Sequence, residues 1–545
     1  MDAALTVLKT VFGHAGFRSL QQEIISHACE GGHALVLMPT GGGKSLCYQI
    51  PALLRPGLAV VVSPLIALMR DQVDALERRG VRAAFLNSAQ DADAAARVRQ
   101  SVGAGTLDLL YVAPERLMLE SMLDWLGRRP LSLIAIDEAH CVSQWGHDFR
   151  PDYLRLSRLT ELFPTVPRMA LTATANPATR RDIRQRLGLE GGREFVTSFD
   201  RPNIRYSVQR KSHPPRQLTD FLRCQPSGAS GIVYCLSRAR TEEVATMLRQ
   251  RGYDALAYHA GLDTATREAH QAAFLERPGV IIVATVAFGM GIDKPDVRFV
   301  FHMDPPKSIE GYYQESGRAG RDGKAAEAML LLEGADLEKL RWFINQSEAP
   351  EAVRAQERHR LEALFGYAEA GGCRRRVLLG YFGEHHPGGC GNCDLCLGLG
   401  PGVDATLAAR KALSNIHHAG AQVSLDHLVD VLVGQSSGSV LARGHQRLST
   451  YALGREFPRV RWETLHRQLC AAGLAEPSPG QGSGLRLTEA CRPLLRGEGA
   501  FHMGPSVLES ATESRPTAGV TPAPRSTKGR QRRARRKRGN HLNTN

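Results

Sequence analysis

A glycine-rich segment near the N-terminus carries residue types that bind phosphate. Residues 38–45 read Met-Pro-Thr-Gly-Gly-Gly-Lys-Ser and follow the apolar run Ala34–Leu37, which predicts a buried strand. A glycine-rich turn between strand and helix surrounds a phosphate with backbone amides, and the helix N-terminus adds partial positive charge. The usual pattern has glycine where Met38 stands, and a flexible turn would also fit. The predicted phosphate and magnesium ligands are Thr40, Gly41, Gly42, Gly43, Lys44 and Ser45.

Two adjacent acids provide a possible second part of a nucleotide site. Asp137 and Glu138 directly follow the strand-like run 133–136. Facing the phosphate loop, Asp137 can position magnesium and Glu138 can orient or activate the attacking water. A lone acidic pair is usually a capped turn, but its combination with a phosphate loop favours nucleotide hydrolysis.

A third element is the segment 314–323, Gln-Glu-Ser-Gly-Arg-Ala-Gly-Arg-Asp-Gly. Arg318 and Arg321 are three residues apart, which predicts that they share one helix face. From a second lobe they could cross the cleft as arginine fingers on the γ-phosphate, beside Gln314. A solvated basic turn is the alternative, since the flanking glycines permit it.

Short apolar runs alternate with helical patterns around these motifs. This rhythm predicts βαβ units on parallel sheets, which bind ligands at the carboxyl ends of their strands. A second such series begins near Gly231 and contains no phosphate loop. We therefore predict an α/β protein with two lobes. The predicted strands are Leu58–Val62, Leu109–Val112, 133–136 and 169–172, then 231–235, 280–284 and Val297–His302.

Four of the eleven cysteines form a tight cluster: Cys373, Cys390, Cys393 and Cys396. Four thiolates are the number that a tetrahedral structural zinc site requires. The compact C-x₂-C-x₂-C run also fits an iron–sulfur cluster. The other cysteines are scattered and no signal peptide is evident, which predicts a reducing compartment and a cytoplasmic protein.

The net charge of +14 predicts an acidic partner, most often nucleic acid. Nine of these positive charges lie within residues 525–538, which contain no acid, so +5 remains elsewhere. Beyond Gly504 the composition is typical of disorder, and we expect this tail to bind DNA phosphates nonspecifically. No apolar run approaches the ~20 residues that a membrane crossing requires, so we expect no membrane partner.

Taken in order, the motifs closely resemble those of bacterial RecQ DNA helicases of superfamily 2, over residues 1 to about 500. The match adds FRSLQ at 17–21, SPLIAL at 63–68, APERL at 113–117, SQWGHDFRP at 143–151, LTATA at 171–175 and ATVAFGMGID at 284–293. The resemblance implies an ATP-dependent DNA helicase that moves 3′ to 5′ on single-stranded DNA. It also implies duplex unwinding during DNA repair, recombination and replication.

The resemblance also implies roles for individual residues. Arg18 and Gln21 would contact the adenine, and His14 stands where relatives often carry an aromatic that stacks on the base. Coupling of the lobes to the nucleotide would involve His140, Thr174, Asp293 and Gln314. An aromatic-rich loop would offer base-stacking faces and a phosphate partner to a single strand; its residues are Gln144, Trp145, His147, Phe149 and Arg150.

The implied architecture is two tandem RecA-like lobes, 1–204 and 205–345, followed by three smaller parts. These are a helical zinc-binding subdomain at 346–403, a winged-helix domain at 404–503 and a disordered basic tail at 504–545, without a module of the HRDC type. The implied cofactors are ATP, Mg²⁺ and a structural Zn²⁺. The expected wing tip, 479–484, has no aromatic residue, so we do not expect a strand-separating pin.

Two other functions fit the same motifs. One is an ATP-driven translocase or RNA helicase without strong unwinding, and the other is a non-enzymatic DNA-binding scaffold. Retention of Lys44, Asp137, Glu138 and Arg318 argues against a scaffold. We expect single-stranded and duplex DNA as partners, with single-strand-binding protein and repair proteins, and a monomeric, nucleoid-associated protein.

Overall fold

The first apolar series forms a seven-stranded parallel sheet in the order β3-β4-β2-β5-β6-β1-β7. This computed structural model describes residues 2–87, 90–143, 146, 148–289, 294–398, 403–478 and 484–504. The strands are β1 Ala34–Leu37, β2 Leu58–Val62, β3 Ala83–Leu86, β4 Leu109–Val112, β5 Leu131–Ile136, β6 Arg168–Thr172 and β7 Arg193–Val196.

Helices cover both faces of this sheet. They are α1 Asp2–Thr10, α2 Gln21–Cys29, α3 Lys44–Leu54, α4 Ile66–Glu77, α5 Ala92–Gly103, α6 Pro114–Leu117, α7 Glu120–Gly127, α8 Pro151–Leu154, α9 Leu159–Leu162 and α10 Pro177–Arg186. Successive β1 residues enter two different cores, with Leu35 and Leu37 in one and Ala34 and Val36 in the other. Burial on both faces explains why these strands are continuous apolar runs.

The second series forms a six-stranded parallel sheet in the order β10-β11-β9-β12-β13-β8. Its strands are β8 Ile204–Arg210, β9 Ser230–Tyr234, β10 Ala255–Tyr258, β11 Ile281–Ala284, β12 Val297–His302 and β13 Ala326–Leu332. Its helices are α11 Pro214–Arg223, α12 Arg238–Gln250, α13 Thr264–Glu276, α14 Ile309–Ser316 and α15 Gly334–Gln346. The prediction of two α/β lobes is confirmed.

A mainly helical region follows the second sheet. Its elements are α16 Glu351–Ala368, α17 Arg374–Tyr381, α18 Asp394–Leu397, β14 Val403–Asp404, α19 Thr406–Ala419, α20 Leu425–Val433, α21 Gly438–Ala442, α22 Arg459–Ala471, β15 Ala475–Pro477, β16 Leu485–Leu487, α23 Arg492–Arg496 and β17 His502–Met503. The antiparallel pair β15–β16 flanks the expected wing. The tip residues 479–483, like residues 505–545 of the basic tail, lie outside the described residues.

Buried polar contacts attach this region to the second lobe and to itself. Arg374 forms an ion pair with Asp394, which also accepts a hydrogen bond from the Val208 amide of β8 at 2.9 Å. Arg467 of α22 pairs with Glu369 after α16 at 2.8 Å, and both side chains are almost fully buried. Within the described parts of the chain, no helix combines the length and apolar character needed to cross a membrane.

Candidate functional site

The phosphate loop has the geometry that its glycines predict. Gly41 and Gly43 adopt φ of 81° and 80°, a left-handed conformation that side chains disfavour. A Cβ on Gly42 would lie 2.9 Å from the Pro39 carbonyl oxygen, and one on Gly43 would lie 2.3 Å from Nε2 of Gln21. The sequence therefore needs all three glycines to bring the backbone close to its neighbours. The loop delivers Lys44 to the first position of α3.

Lys44 directly follows this loop and lies close to the carboxylates of Asp137 and Glu138. Its ammonium donates a hydrogen bond to the Met38 carbonyl oxygen at 3.2 Å. Burial lowers the pKa of Lys44, while the carboxylates of Glu138 and Asp137 oppose that shift. A cationic group held between a phosphate loop and two carboxylates is suited to an anionic ligand that arrives with a metal ion.

Asp137 and Glu138 lie at the carboxyl end of β5, as predicted. Asp137 is buried, and burial together with the neighbouring Glu138 raises its pKa well above the ordinary value. Glu138 has a φ of 47°, a strained backbone conformation for a residue with a side chain. Oxygen donors from Asp137 and Ser45 fit a hard cation such as Mg²⁺, whose charge would favour the ionised carboxylate.

A chain of side chains leads from Glu138 to the second lobe. Nδ1 of His140 lies 3.3 Å from a Glu138 carboxylate oxygen and 2.9 Å from the Thr172 hydroxyl. That hydroxyl accepts a hydrogen bond from the Thr174 amide at 3.2 Å. The Thr174 hydroxyl in turn accepts one from Nε2 of Gln314 at 3.1 Å, which joins the two lobes directly. Three residues predicted to couple the lobes therefore lie in one connected path.

The two arginines reach the same pocket, but not from a helix. The prediction that Arg318 and Arg321 share a helix face is wrong, because α14 ends at Ser316 and the following turn contains Gly320 at φ 58°. A Cβ on Gly41 would lie 3.3 Å from Cδ of Arg321, so this side chain lies against the phosphate loop. Arg318 is 6% exposed and is hydrogen-bonded within its own lobe to Tyr234.

Gln21 links the predicted base-binding segment to the phosphate loop. Its Oε1 accepts a hydrogen bond from the Arg18 amide at 2.8 Å, and its Nε2 donates to the carbonyl oxygens of Gly42 and Gly43 at 3.3 and 3.2 Å. His14 is exposed and lines the same pocket. These placements are compatible with the predicted base contacts, which stay predictions.

One pocket between the lobes collects nearly all the predicted nucleotide residues. Its lining includes His14, Arg18, Gln21, Thr40, Gly41, Gly43, Lys44, Ser45, Asp137, Glu138, Gln314, Arg318 and Arg321. Sequence reasoning missed other lining residues, namely Leu8, Gly16, Leu46, Leu68, Gln72 and Gly289. Leu68 and Gln72 are one turn apart on α4, so their spacing could have indicated a shared face.

The predicted single-strand loop is only partly described. Gln144, Trp145 and His147 lie outside the described residues, and Phe149 is half-buried. Asp293, which is predicted to couple the lobes to the nucleotide, also lies outside the described residues. Arg150 forms hydrogen bonds to Asp148 at 3.2 and 3.0 Å and donates to the Pro64 carbonyl oxygen at 2.9 Å. Arg150 therefore ties this loop to the segment after β2, and its contact with a DNA phosphate stays a prediction.

The four clustered cysteines have the arrangement of a zinc site. All four sulfur atoms lie within 4.8 Å of one another, and those of Cys390 and Cys396 are 3.9 Å apart. Tetrahedral ligands at the usual Zn–S distance would be about 3.8 Å apart. An iron–sulfur cluster would hold thiolates of different irons further apart, so this spacing favours a single zinc ion held by Cys373, Cys390, Cys393 and Cys396.

Protein-family models match four successive segments of the chain. The DEAD/DEAH box helicase model matches residues 18–183, and the Helicase conserved C-terminal domain matches 214–323. The RecQ zinc-binding model matches residues 334–397, and the RQC domain matches 402–512.

Individual proteins are similar over most of the chain. The ATP-dependent DNA helicase RecQ of Haemophilus influenzae is 47% identical over 91% of this chain and 80% of that protein. The protein of the same name from Pasteurella multocida is 46% identical over 94% of this chain and 81% of its own length. Among solved structures, DUF1998 helicase MrfA bound to DNA has a TM-score of 0.51 at 17% identity, covering 64% of this chain and 54% of that chain. That likeness shows the fold.

Two RecA-like lobes with a phosphate loop on one and arginines on the other define a helicase of the two-lobed P-loop class. The cysteine cluster and the domain that follows it restrict this helicase class to one family. The chain belongs to the RecQ family.

Proposed function

We propose that this protein is an ATP-dependent DNA helicase whose nucleotide site lies between the two lobes. The observation that carries the proposal is the pocket lined by Lys44 and Asp137 from one lobe and by Arg318 and Arg321 from the other. Hydrolysis of ATP needs positioning and charge neutralisation more than covalent chemistry, and both lobes supply these.

Each of the pocket residues then has its own role in ATP hydrolysis. The loop amides and Lys44 bind the triphosphate, and Gln21 contacts the base. Ser45 and Asp137 would hold Mg²⁺, which neutralises charge on the phosphates. Glu138 orients the attacking water. Arg321 and Arg318 neutralise charge that develops at the γ-phosphate.

Nucleotide state is proposed to alter the grip of the lobes on DNA. Gln314 and Thr174 form a direct hydrogen bond between the lobes at 3.1 Å, and this path continues to Glu138. A ligand that binds the closed arrangement better shifts the lobes toward closure, and hydrolysis removes that preference. Alternating closure on a single strand gives stepping, which we propose runs 3′ to 5′ and unwinds duplexes in repair, recombination and replication.

The remaining family features support finer proposals. We infer that one Zn²⁺ stabilises the segment that joins α17 to α18 and takes no part in hydrolysis. The winged-helix region is proposed to bind duplex DNA beside the path that the single strand takes along the lobes. A monomeric state, nucleoid association and binding of single-strand-binding protein also stay predictions, and sedimentation with and without that protein would test two of them.

The activity is tested by three variants on matched substrates. Lys44→Ala should abolish ATP hydrolysis and Glu138→Gln should remove its stimulation by DNA, whereas Lys339→Ala on the exposed side of α15 should behave as wild type. A forked DNA with a matched RNA fork separates a DNA helicase from an RNA helicase. DNA-stimulated phosphate release without unwinding would indicate a translocase, and its absence in the wild type would indicate a scaffold.

A further inference from the structure

The side chain of Arg318 is held by Tyr234, which does not line the nucleotide pocket, and by Gly289, which does. Its Nε donates a hydrogen bond to the Tyr234 hydroxyl at 3.0 Å, and its Nη1 donates to the Gly289 carbonyl oxygen. Among the described residues, these are the polar contacts of its guanidinium. A Cβ on Gly289 would lie 2.7 Å from Nη2 of Arg318, so the backbone approaches the guanidinium more closely than other residues allow.

The Tyr234 hydroxyl is fixed by a second bond. It donates to the Phe288 carbonyl oxygen at 2.9 Å while it accepts from Arg318. Burial raises the pKa of Tyr234 to about 12, so the hydroxyl keeps its proton at ordinary working pH. Both hydrogen-bonding directions of the hydroxyl are therefore used, and its orientation is determined.

The Tyr234 ring is supported from the neighbouring strand. Tyr234 is the last residue of β9, and its register partner His302 is the last residue of β12. The two rings stack with centroids 5.2 Å apart and planes inclined by 21°. His302 Nε2 lies 2.8 Å from a carboxylate oxygen of Glu315, on the helix that ends just before Arg318. The ends of β9 and β12, helix α14 and Arg318 are therefore connected by direct side-chain contacts.

A guanidinium has five N–H donors in a rigid plane, and two of them are used here within the second lobe. Tyr234 holds the guanidinium by Nε, so the rotation of that plane depends on the tyrosine. An arginine that must meet developing charge loses its effect when it is displaced by a fraction of an ångström or rotated.

We propose that Tyr234 is a positioning residue for ATP hydrolysis, which orients Arg318 toward the nucleotide without touching it. The proposal rests on the function proposed above. Tyr234 is absent from the lining of the pocket, whereas Arg318 is part of that lining. Loss of the hydroxyl should therefore reduce turnover while leaving ATP affinity nearly unchanged.

The test compares Tyr234→Phe with Tyr312→Phe. Tyr312 is a second buried tyrosine of the same lobe, and its hydroxyl contacts Tyr367 at 3.4 Å and not Arg318. We expect Tyr234→Phe to lower the kcat of DNA-stimulated hydrolysis about tenfold, as one misplaced hydrogen bond allows, with KM for ATP within about twofold of wild type. Tyr312→Phe should match wild type, and both variants should unfold at nearly the same temperature.

A double-mutant cycle separates positioning from general destabilisation. In an Arg318→Ala background, measured at excess enzyme so that slow turnover remains visible, Tyr234→Phe should have no further effect. An equal tenfold loss in that background would overturn the proposal, as would wild-type turnover in Tyr234→Phe or in Arg318→Ala. If the wild-type protein itself shows no hydrolysis, or if Lys44→Ala hydrolyses normally, the proposed function fails instead.

Discussion

Removal of the Glu369 charge should loosen the winged-helix region from α16 of the zinc-binding subdomain. Glu369 is 0% exposed and accepts hydrogen bonds from Nε of Arg467 at 2.8 Å and from Nη2 at 3.3 Å. Arg467 is 3% exposed, so Glu369→Gln leaves its guanidinium buried with only a neutral amide at that position. Glu362 remains 3.5 Å away as a weaker partner.

The size of the effect follows from this burial. Removal of one partner of a buried ion pair typically costs 3–5 kcal/mol, and the remaining contact with Glu362 favours the lower end, about 3 kcal/mol. Such a loss corresponds to an equilibrium constant for opening of the α16–α22 contact that is about a hundredfold larger. The matched control is Glu476→Gln, which breaks a pair with Arg486 whose side chains are 50% and 46% exposed. Solvent screening limits that pair to about 0.5 kcal/mol.

Amide hydrogen exchange of the full chain measures this opening for Arg459–Ala471. We expect strong deprotection in Glu369→Gln, little change in Glu476→Gln, and recovery of most protection when Glu369 and Arg467 are both replaced by methionine. Recovery follows because no charge is then left buried without a partner. Equal protection in the two single variants would show that the buried Arg467–Glu369 pair does not hold α22 against α16.

Three further predictions concern other parts of the chain. His466 is fully buried, and burial lowers its pKa from 6.5 to about 4, so stability present above pH 6.5 should be lost as pH falls toward 4, by up to about 3 kcal/mol. His466→Leu should remove this part of the pH dependence in urea unfolding, and an unchanged pH profile would contradict it. Metal analysis should find about one zinc and no iron per chain. The zinc should be lost in Cys393→Ser but kept in Cys224→Ser, because Cys224 is exposed and outside the cluster. Retention of zinc by Cys393→Ser would refute the four-thiolate site. Deletion of 505–545 should flatten the salt dependence of DNA affinity and leave DNA-stimulated ATP hydrolysis nearly intact, and an unchanged slope would exclude the tail from binding.

Local patterns predicted the elements that depend on local chemistry. The glycines of the phosphate loop, the apolar runs of β2 and β4 and the position of Asp137 after β5 all occur as expected. Each is determined within a few residues, by backbone freedom or by burial on both sheet faces. The prediction that Arg318 and Arg321 share a helix face was wrong because it required α14 to continue through them, whereas the glycines of that segment favour a turn.

Contacts between distant segments could not be derived in the same way. Arg467 and Glu369 are 98 residues apart, and Tyr234 and Arg318 are 84 apart. Nothing in the spacing of a buried tyrosine at a strand end distinguishes it from ordinary core. Only tertiary packing brings the Tyr234 hydroxyl to Arg318, which lies in the turn after α14.

In the proposed mechanism, one nucleotide is contacted by both lobes at once. The most direct measurement is turnover and ATP affinity of a variant that carries Arg318→Ala and Arg321→Ala together, with single-stranded DNA present. Because both substitutions lie in the second lobe and the phosphate loop is untouched, we predict a loss of at least about a thousandfold in kcat with ATP affinity largely retained. Hydrolysis at the wild-type rate in this variant would show that the second lobe does not contribute to the nucleotide site.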